Sequence, residues 1–362
     1  MKKLMFIFGT RPEFIKIYPI YIESLKQGND VILVSTGQHK EMLNQLIDYF
    51  NVKIDYNLAI MEKSNGLVDI LTNSLQGLKQ VFNNENPDVI LVHGDTSATL
   101  AGSIIAYYYK IKLAHIEAGL RTNNKYSPFP EEINRKITTV LADYHFAPTK
   151  ISYENLIREN VKDEDIYIVG NSAIDMLKYT ICNDYSNSVL KWQDSKKLIL
   201  ITAHRRENLE ELDDIFYAID YLASKYYDEF KFVYPMHLNP IIRKKSSKYF
   251  KSDNIKIIDP LDTIDFHNIM SKSYLIMTDS GGIQEEAPSL GIPVLVLRNV
   301  TERPEGVLAG TLKLVGTNST DIINAVVELI EDQDIYNDMC KKTNPYGDGT
   351  TATKIVRVLN DK

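Results

Sequence analysis

The chain has 362 residues, 44% of them hydrophobic and 25% charged, with a formal net charge of −7. That length exceeds one ordinary core and suits two domains of similar size, with a globular composition. The acidic balance and the lack of any dense basic run exclude a general nucleic-acid binder.

The opening Met1-Lys2-Lys3 followed by Leu4 to Phe8 has the look of a secretion signal. The apolar run stops at Gly9, and Arg11, Glu13 and Lys16 follow, so it reads as a first strand. No apolar stretch approaches the roughly 20 residues that span a bilayer. Cys182 and Cys340 stand alone, in no metal or redox spacing. A cytoplasmic protein is expected.

Short apolar runs then alternate with amphipathic segments. Lys3 to Phe8, Val31 to Ser35, Val89 to Val92, Leu113 to Ile116 and Tyr144 to Ala147 read as strands, with helices at Pro12 to Lys26 and Ser97 to Tyr109. The pattern pauses in the polar stretch from Asn183 to Lys197. It restarts with Leu198 to Thr202, Phe230 to Tyr234, Ile255 to Ile258, Leu275 to Thr278 and Val294 to Leu297. This is the parallel βαβ signature, so the expected fold class is α/β with two doubly wound, Rossmann-like domains. They join between Gly170 and Ser195, giving domains of about 1–170 and 171–349. In such folds ligands bind beyond the carboxyl ends of the strands, and two domains make a cleft between them.

The polar residues fall at those strand ends. Gly9-Thr10-Arg11-Pro12-Glu13 has a glycine for the turn, a proline at the helix start and Arg11 available for an anion, with Lys16 one turn along. His93-Gly94-Asp95-Thr96 and His115-Ile116-Glu117 each end an apolar run. Buried carboxylates there are costly unless they serve a site or are paired. Metal ligation by His93, Asp95, His115 and Glu117 ranks lower, because no third matched motif supports it. Both histidines are expected to be packed and hydrogen-bonded. Pro128 to Glu132 leads into a helix with Ile133, Ile137, Val140, Leu141 and Tyr144 as its buried stripe. Glu131 sits in the first turn, where the helix dipole favours a carboxylate, and Arg135 shares its face.

In the second half, His204-Arg205-Arg206 follows a strand and suits a phosphate or a proton transfer, although one of the arginines is expected to be mere surface charge. Asp279-Ser280-Gly281-Gly282 also follows a strand and opens a helix. Its glycines let the backbone approach a ligand, and the helix amides point at what sits there. Downstream lies Thr301-Glu302-Arg303-Pro304-Glu305.

Together these blocks resemble the non-hydrolysing UDP-N-acetylglucosamine 2-epimerases. The matching strings are 9–13, Thr-Gly-Gln-His at 36–39, 93–96, Glu-Ala-Gly-Leu-Arg-Thr at 117–122, 126–132, Ala-His-Arg-Arg-Glu-Asn at 203–208, and the segment from Asp279 to Glu286 with its Thr-Glu-Arg-Pro-Glu. They stand in family order across nearly the whole chain. The resemblance implies a GT-B fold with the active site in the interdomain cleft, and a last helix, about 350–362, packing back on the first domain. It implies interconversion of UDP-N-acetylglucosamine and UDP-N-acetylmannosamine without NAD, metal or other cofactor, for bacterial surface polysaccharide synthesis. UDP would leave to give a 2-acetamidoglucal and then re-add; a homodimer is also implied.

By the same resemblance Asp95, Glu117, Glu131 and His204 are the catalytic candidates. Arg11, Lys16, Ser280, Gly281 and Gly282 would hold the diphosphate, Glu286 the ribose, Arg303 the nucleotide, and Leu261 with Phe266 the uracil. Two departures stand out. Phe14, Ile17 and Tyr18 read as helix packing. Glu62-Lys63-Ser64 occupies the place of an arginine for a second, activating sugar nucleotide, which argues against such activation, although Gln38 and His39 are present. The rivals are a modified UDP-HexNAc as substrate, a hydrolysing epimerase, a GT-B glycosyltransferase and a catalytically silent sugar-nucleotide sensor. Pro12-Glu13 speaks against the hydrolysing branch, and three acids in the first half speak against the transferase.

Overall fold

The computed structural model describes residues 1–38, 41–205 and 208–362, and of Glu41, Met42 and Lys63 the backbone alone. His39, Arg206 and Glu207 therefore lie outside the described residues or side chains, and their expected roles with them. The chain forms two compact units, Met1–Met176 with Gly347–Lys362, and Leu177–Tyr346.

The sheet of the first unit has strands β1 (Lys3–Phe8), β2 (Asp30–Ser35), β3 (Tyr56–Asn57), β4 (Val89–His93), β5 (Lys112–Ile116), β6 (Tyr144–Ala147) and β7 (Ile166–Ile168). Their order is β3-β2-β1-β4-β5-β6-β7, all parallel. Helices α1 (Arg11–Lys26), α2 (Glu41–Tyr49), α3 (Leu67–Val81), α4 (Ser97–Tyr109), α5 (Glu131–Leu141) and α6 (Lys150–Arg158) supply the crossovers, and α7 (Ser172–Thr180) follows β7. A parallel sheet covered on both faces needs continuous apolar strands. β1 supplies them: Leu4, Met5, Phe6, Ile7 and Phe8 are fully buried.

The second unit repeats the plan. After α8 (Ser188–Gln193) come β8 (Lys197–Thr202), α9 (Leu212–Lys225), β9 (Phe230–Pro235), α10 (Pro240–Tyr249), β10 (Ile255–Ile258) and α11 (Thr263–Ser271). Then follow β11 (Leu275–Thr278), α12 (Gly281–Glu286), β12 (Val294–Val296), α13 (Pro304–Ala309) and β13 (Leu312–Leu314). Helices α14 (Ser319–Glu331) and α15 (Gln333–Lys341) complete it. The strand order is β10-β9-β8-β11-β12-β13, again all parallel. In both sheets the order reverses beside the first strand of the unit, the place where doubly wound folds bind ligands.

The final helix α16 (Thr351–Asp361) belongs to the first unit and packs on α1. No side chain of its own caps it. Instead the buried Asp175 carboxylate on α7 accepts hydrogen bonds from the amides of Thr351 (3.2 Å) and Ala352 (2.9 Å). A carboxylate on first-turn amides satisfies donors that the helix cannot satisfy itself. The join is more ordered than its polar composition suggests. Its α7 runs through the boundary between the units, and Asn187 caps α8 by accepting from Val189 and Leu190.

One expected packing face is wrong. On α5, Ile133 and Ile137 are about 40% exposed and Val140 is 83% exposed. The buried residues are Glu132, Asn134, Thr138 and Thr139. This helix turns polar residues inward because they have partners there. Glu132 accepts from the Thr122 and Asn123 amides, and Asn134 donates to the Asp95 carbonyl. Phe14, Ile17 and Tyr18 on α1 are buried, as helix packing requires.

Candidate active site

The ends of β1, β4 and β5 and the start of α5 enclose a cleft of about 350 Å³ in the first unit. Lys16, His93, Asp95, Glu117 and Glu131 all line it. Its floor is set by the turn after β1. Thr10 and Glu13 form a reciprocal capping box at the start of α1. The buried Glu13 carboxylate also accepts from the Gly9 amide (3.0 Å) and from the hydroxyls of Thr96 (2.8 Å) and Thr99 (3.4 Å). It thereby ties the β1 loop to the β4 loop. Burial pushes its carboxyl pKa up, against the donors from Gly9, Thr96 and Thr10. Glu13 is a brace that the sequence reading did not single out. The capping-box spacing from Thr10 was the available signal.

Glu117 stands just past β5 with φ at +62°, a left-handed conformation uncommon for a side chain of this kind. Its side chain is 12% exposed, and Lys16 from α1 makes an ion pair with Oε2. The Asn171 amide donates to the same oxygen at 3.0 Å, and His93 Nε2 lies 3.6 Å away. Burial opposes the charge, but the Lys16 ammonium and the His93 ring outweigh it and hold this carboxyl well below the usual range. Glu117 is therefore an ionised carboxylate at neutral pH.

The other two acids are held differently. Asp95 pairs with Arg135 at 2.5 Å. Arg135 was expected on the Glu131 face; its recorded partners are Asp95 and Glu132. Glu131 opens α5, and its Oε2 is buried with no hydrogen-bond partner. Leaving such an atom unmet costs about 1–3 kcal/mol. Arg11 begins α1, half-buried, and is not among the residues lining the cleft.

The two histidines diverge. His115 is fully buried with Nε2 2.8 Å from the Gly94 carbonyl, and burial drives its pKa from 6.5 to about 3. His93 is buried too, but its Nε2 makes no hydrogen bond, contrary to expectation. It faces Glu117 instead. Among the described residues, no group of three or more His, Cys, Asp or Glu side chains is placed to hold a metal ion. Arg121 donates to both carboxylate oxygens of Glu159 and to Thr139, so it fastens a loop to α6.

In the second unit the polar residues gather beyond β8, β11 and β12. Asp279, fully buried, accepts from the amides of His204 (2.7 Å) and Arg205 (2.8 Å). It fixes the β8 loop, and its Oδ1 lies 3.5 Å from His204 Nδ1. The His204 ring is 42% exposed and stacks on His237, their centroids 5.7 Å apart. His237 therefore stands beside a candidate catalytic ring.

Ser280 stands at the N-cap position of α12 without a capping side-chain hydrogen bond, and Gly281 and Gly282 open the helix. A Cβ on Gly281 would lie 3.6 Å from both Arg205 Nη2 and Arg303 Nη2. Two guanidiniums thus converge over a residue without a side chain, which is the geometry of an anion seat. Arg303 is aimed by an ion pair from Nε to the buried Glu285, and its amide donates to Thr301, whose hydroxyl donates to Gln284. Arg205, one of the two adjacent arginines expected to suit a phosphate, brings its guanidinium to the start of α12.

Glu286 is 3.3 Å from His267, which meets the Thr180 hydroxyl at 2.8 Å. Leu261 and Phe266 are half-buried against the apolar cluster around Ile269 and Ile283. No described helix is long and apolar enough to cross a membrane.

Two all-parallel α/β units with polar clusters at their strand ends define a GT-B-class fold. A family model for UDP-N-acetylglucosamine 2-epimerase matches residues 23–360. A UDP-N-acetylglucosamine 2-epimerase of Bacillus subtilis is 50% identical over 99% of this chain and 96% of its own length. A Listeria monocytogenes structure described as a putative UDP-N-acetylglucosamine 2-epimerase superposes with a TM-score of 0.94 at 46% identity, covering 99% and 96% of the two chains. The Neisseria meningitidis enzyme bound to UDP-N-acetylglucosamine gives 0.87 at 45%, covering 99% and 100%. The chain belongs to the UDP-N-acetylglucosamine 2-epimerase family.

Proposed function

We propose that this chain interconverts UDP-N-acetylglucosamine and UDP-N-acetylmannosamine by eliminating and re-adding UDP. The observation that carries this is the pairing of acids in the first-unit cleft. Glu117 is held ionised by Lys16, while Glu131 keeps a buried oxygen without a partner. Inverting carbon 2 needs one group to take a proton and another to return it on the opposite face, so carboxylates in unlike settings suit the task.

The proton on carbon 2 becomes acidic only as the anomeric C–O bond breaks and positive charge builds next to it. Proton loss and departure of UDP then leave a 2-acetamidoglucal. A proton returns to carbon 2 from the other face, and a diphosphate oxygen re-forms the bond to carbon 1. Asp95, Glu117 and Glu131 take the proton steps. Ser280, Gly281, Gly282, Arg205 and Arg303 receive the departing diphosphate with donors already in place, as electrostatic catalysis requires. His204 stands on the diphosphate side, oriented by Asp279, and Glu286 takes the ribose hydroxyls. The second reading, a modified UDP-HexNAc as substrate, would use the same machinery.

The test is incubation with UDP-N-acetylglucosamine in deuterated water, followed by proton NMR. Deuterium at carbon 2 in a mixture of both UDP sugars is expected. Free UDP with free N-acetylmannosamine would indicate hydrolysis, and no exchange would remove the epimerase reading. The reading extends to a homodimer through α4 and α5. Ile133, Ile137 and Val140 recur at i, i+4 and i+7, and the adjacent α4 exposes Tyr107 and Tyr108. Exposed apolar residues on two adjacent helices suit a second copy.

A further inference from the structure

Asn171 belongs to none of the roles above, yet it touches the acid at the centre of them. We propose that Asn171 is a positioning residue, which fixes the Glu117 carboxylate for proton transfer by anchoring it to the start of α7. The inference rests on the epimerase reading and adds a residue to it.

Asn171 is 4% exposed. Its Oδ1 accepts from the Ala173 amide at 3.0 Å, which caps α7. That bond settles which way the side-chain amide faces. The Nδ2 end, which can only donate, then points at Glu117 Oε2 at 3.0 Å. One short side chain thus joins a helix start to a cleft carboxylate.

The helix is itself secured. One turn along, Asp175 binds the first amides of α16, and α16 lies against α1, the helix that carries Lys16. The two groups that donate to Glu117 therefore stand on helices linked to each other through α16. Glu117 needs such support because its backbone is left-handed, and the neighbouring strand hydrogen bonds do not restrain its side chain. A carboxylate held from two sides loses little freedom on reaching a reactive geometry.

The charged and titratable groups facing Glu117 are Lys16 from α1 and His93 from β4, with Glu13, Asp95 and Glu131 lining the same cleft. Lys16 supplies the charge. Asn171 supplies direction, and as a donor it also favours the ionised form. Its loss moves the pKa of Glu117 upward, so activity that requires the ionised acid falls away at a higher pH.

The experiment compares Asn171→Ser and Asn171→Asp with the unaltered enzyme. Both keep an oxygen that can cap α7. Serine lacks the donor's reach, and aspartate sets a like charge against Glu117. Expected for Asn171→Ser is a kcat lower by roughly tenfold to a hundredfold, with KM and UDP affinity within about twofold. Its acid limb should shift upward by about one pH unit, and that of Asn171→Asp further still. If the aspartate variant does not fold, the serine variant alone decides. Unchanged kcat and pH profile in a folded variant would overturn the proposal. So would a parallel fall in melting temperature, UDP affinity and kcat with no shift of the profile, because that is a structural role. Failure of the unaltered enzyme to exchange deuterium at carbon 2 would overturn it together with the reading beneath it.

Discussion

The first unit assembles carboxylates and steadies them with cations and amides; the second assembles guanidiniums and steadies them with carboxylates. In the first, Lys16 and Arg135 hold Glu117 and Asp95, and Glu131 retains a buried oxygen without a partner. In the second, Glu285 and Asp279 aim Arg303 and the loop carrying Arg205 at the bare surface of Gly281. The same fold plan thus offers opposite chemistry at equivalent strand ends. The lesson concerns labour as well as charge. A site that must move protons needs acids in unlike settings, while a site that must keep a dianion needs fixed donors.

The sharpest way to break this division is to remove one acid. Glu117→Gln should lower kcat by about 10²–10⁴-fold while UDP affinity, measured calorimetrically, stays within about threefold. Equal losses in both would show that the two functions are not divided. Next in size, Arg303→Ala should weaken UDP binding by roughly ten- to a hundredfold, the value of charge-assisted hydrogen bonds at about 1.5–3 kcal/mol. Arg205→Ala should weaken it in the same direction. Unaltered UDP affinity in both variants would remove the anion seat over Gly281.

The third prediction concerns stability. His115 has a pKa near 3 in the folded chain against 6.5 for an ordinary histidine. The unfolded chain therefore binds the proton first as pH falls. The stability this group confers is complete above pH 6.5 and is lost between about 6.5 and 3, at no more than about 1.4 kcal/mol per pH unit. Urea titrations across that window should show the slope, and His115→Gln should flatten it. The smallest effect on chemistry is expected from Ile137→Asp, which should halve the mass measured by light scattering and leave UDP binding intact. A protein that keeps its unaltered mass would discard the α5 stripe as an interface.

Much of the architecture was legible because parallel strands must be apolar throughout. β1, β6, β10 and β11 fall on the residues expected for them, and the other six expected strands differ by one residue at one end. The failure at α5 has a physical cause. Periodicity reveals that a helix has two faces, but it does not say which face the protein covers. There Glu132, Asn134, Thr138 and Thr139 go inward because backbone and side-chain partners await them, and the isoleucines go outward. α8 escaped notice because its capping Asn187 sits in the polar stretch from Asn183 to Lys197, whose composition suggested a pause in the fold.

The site divides along the same line. Lys16, Asp95, Glu117 and Glu131 come together in one cleft because strand-end loops of a doubly wound sheet converge, which a sequence can foretell. Bracing is another matter. That Glu13 joins two loops, that Asp279 sets His204, and that Asn171 reaches Glu117 across 54 positions of chain depend on register and rotamer. Beyond the Thr10 capping box that places Glu13, no local pattern encodes them.

The central claim is that UDP departs and returns while the sugar is inverted. Positional isotope exchange tests it most directly, using UDP-N-acetylglucosamine with oxygen-18 in the bridge between the anomeric carbon and the β-phosphorus. Phosphorus NMR should show the label moving into non-bridging positions as deuterium enters carbon 2. Inversion with the label retained wholly in the bridge would contradict the account.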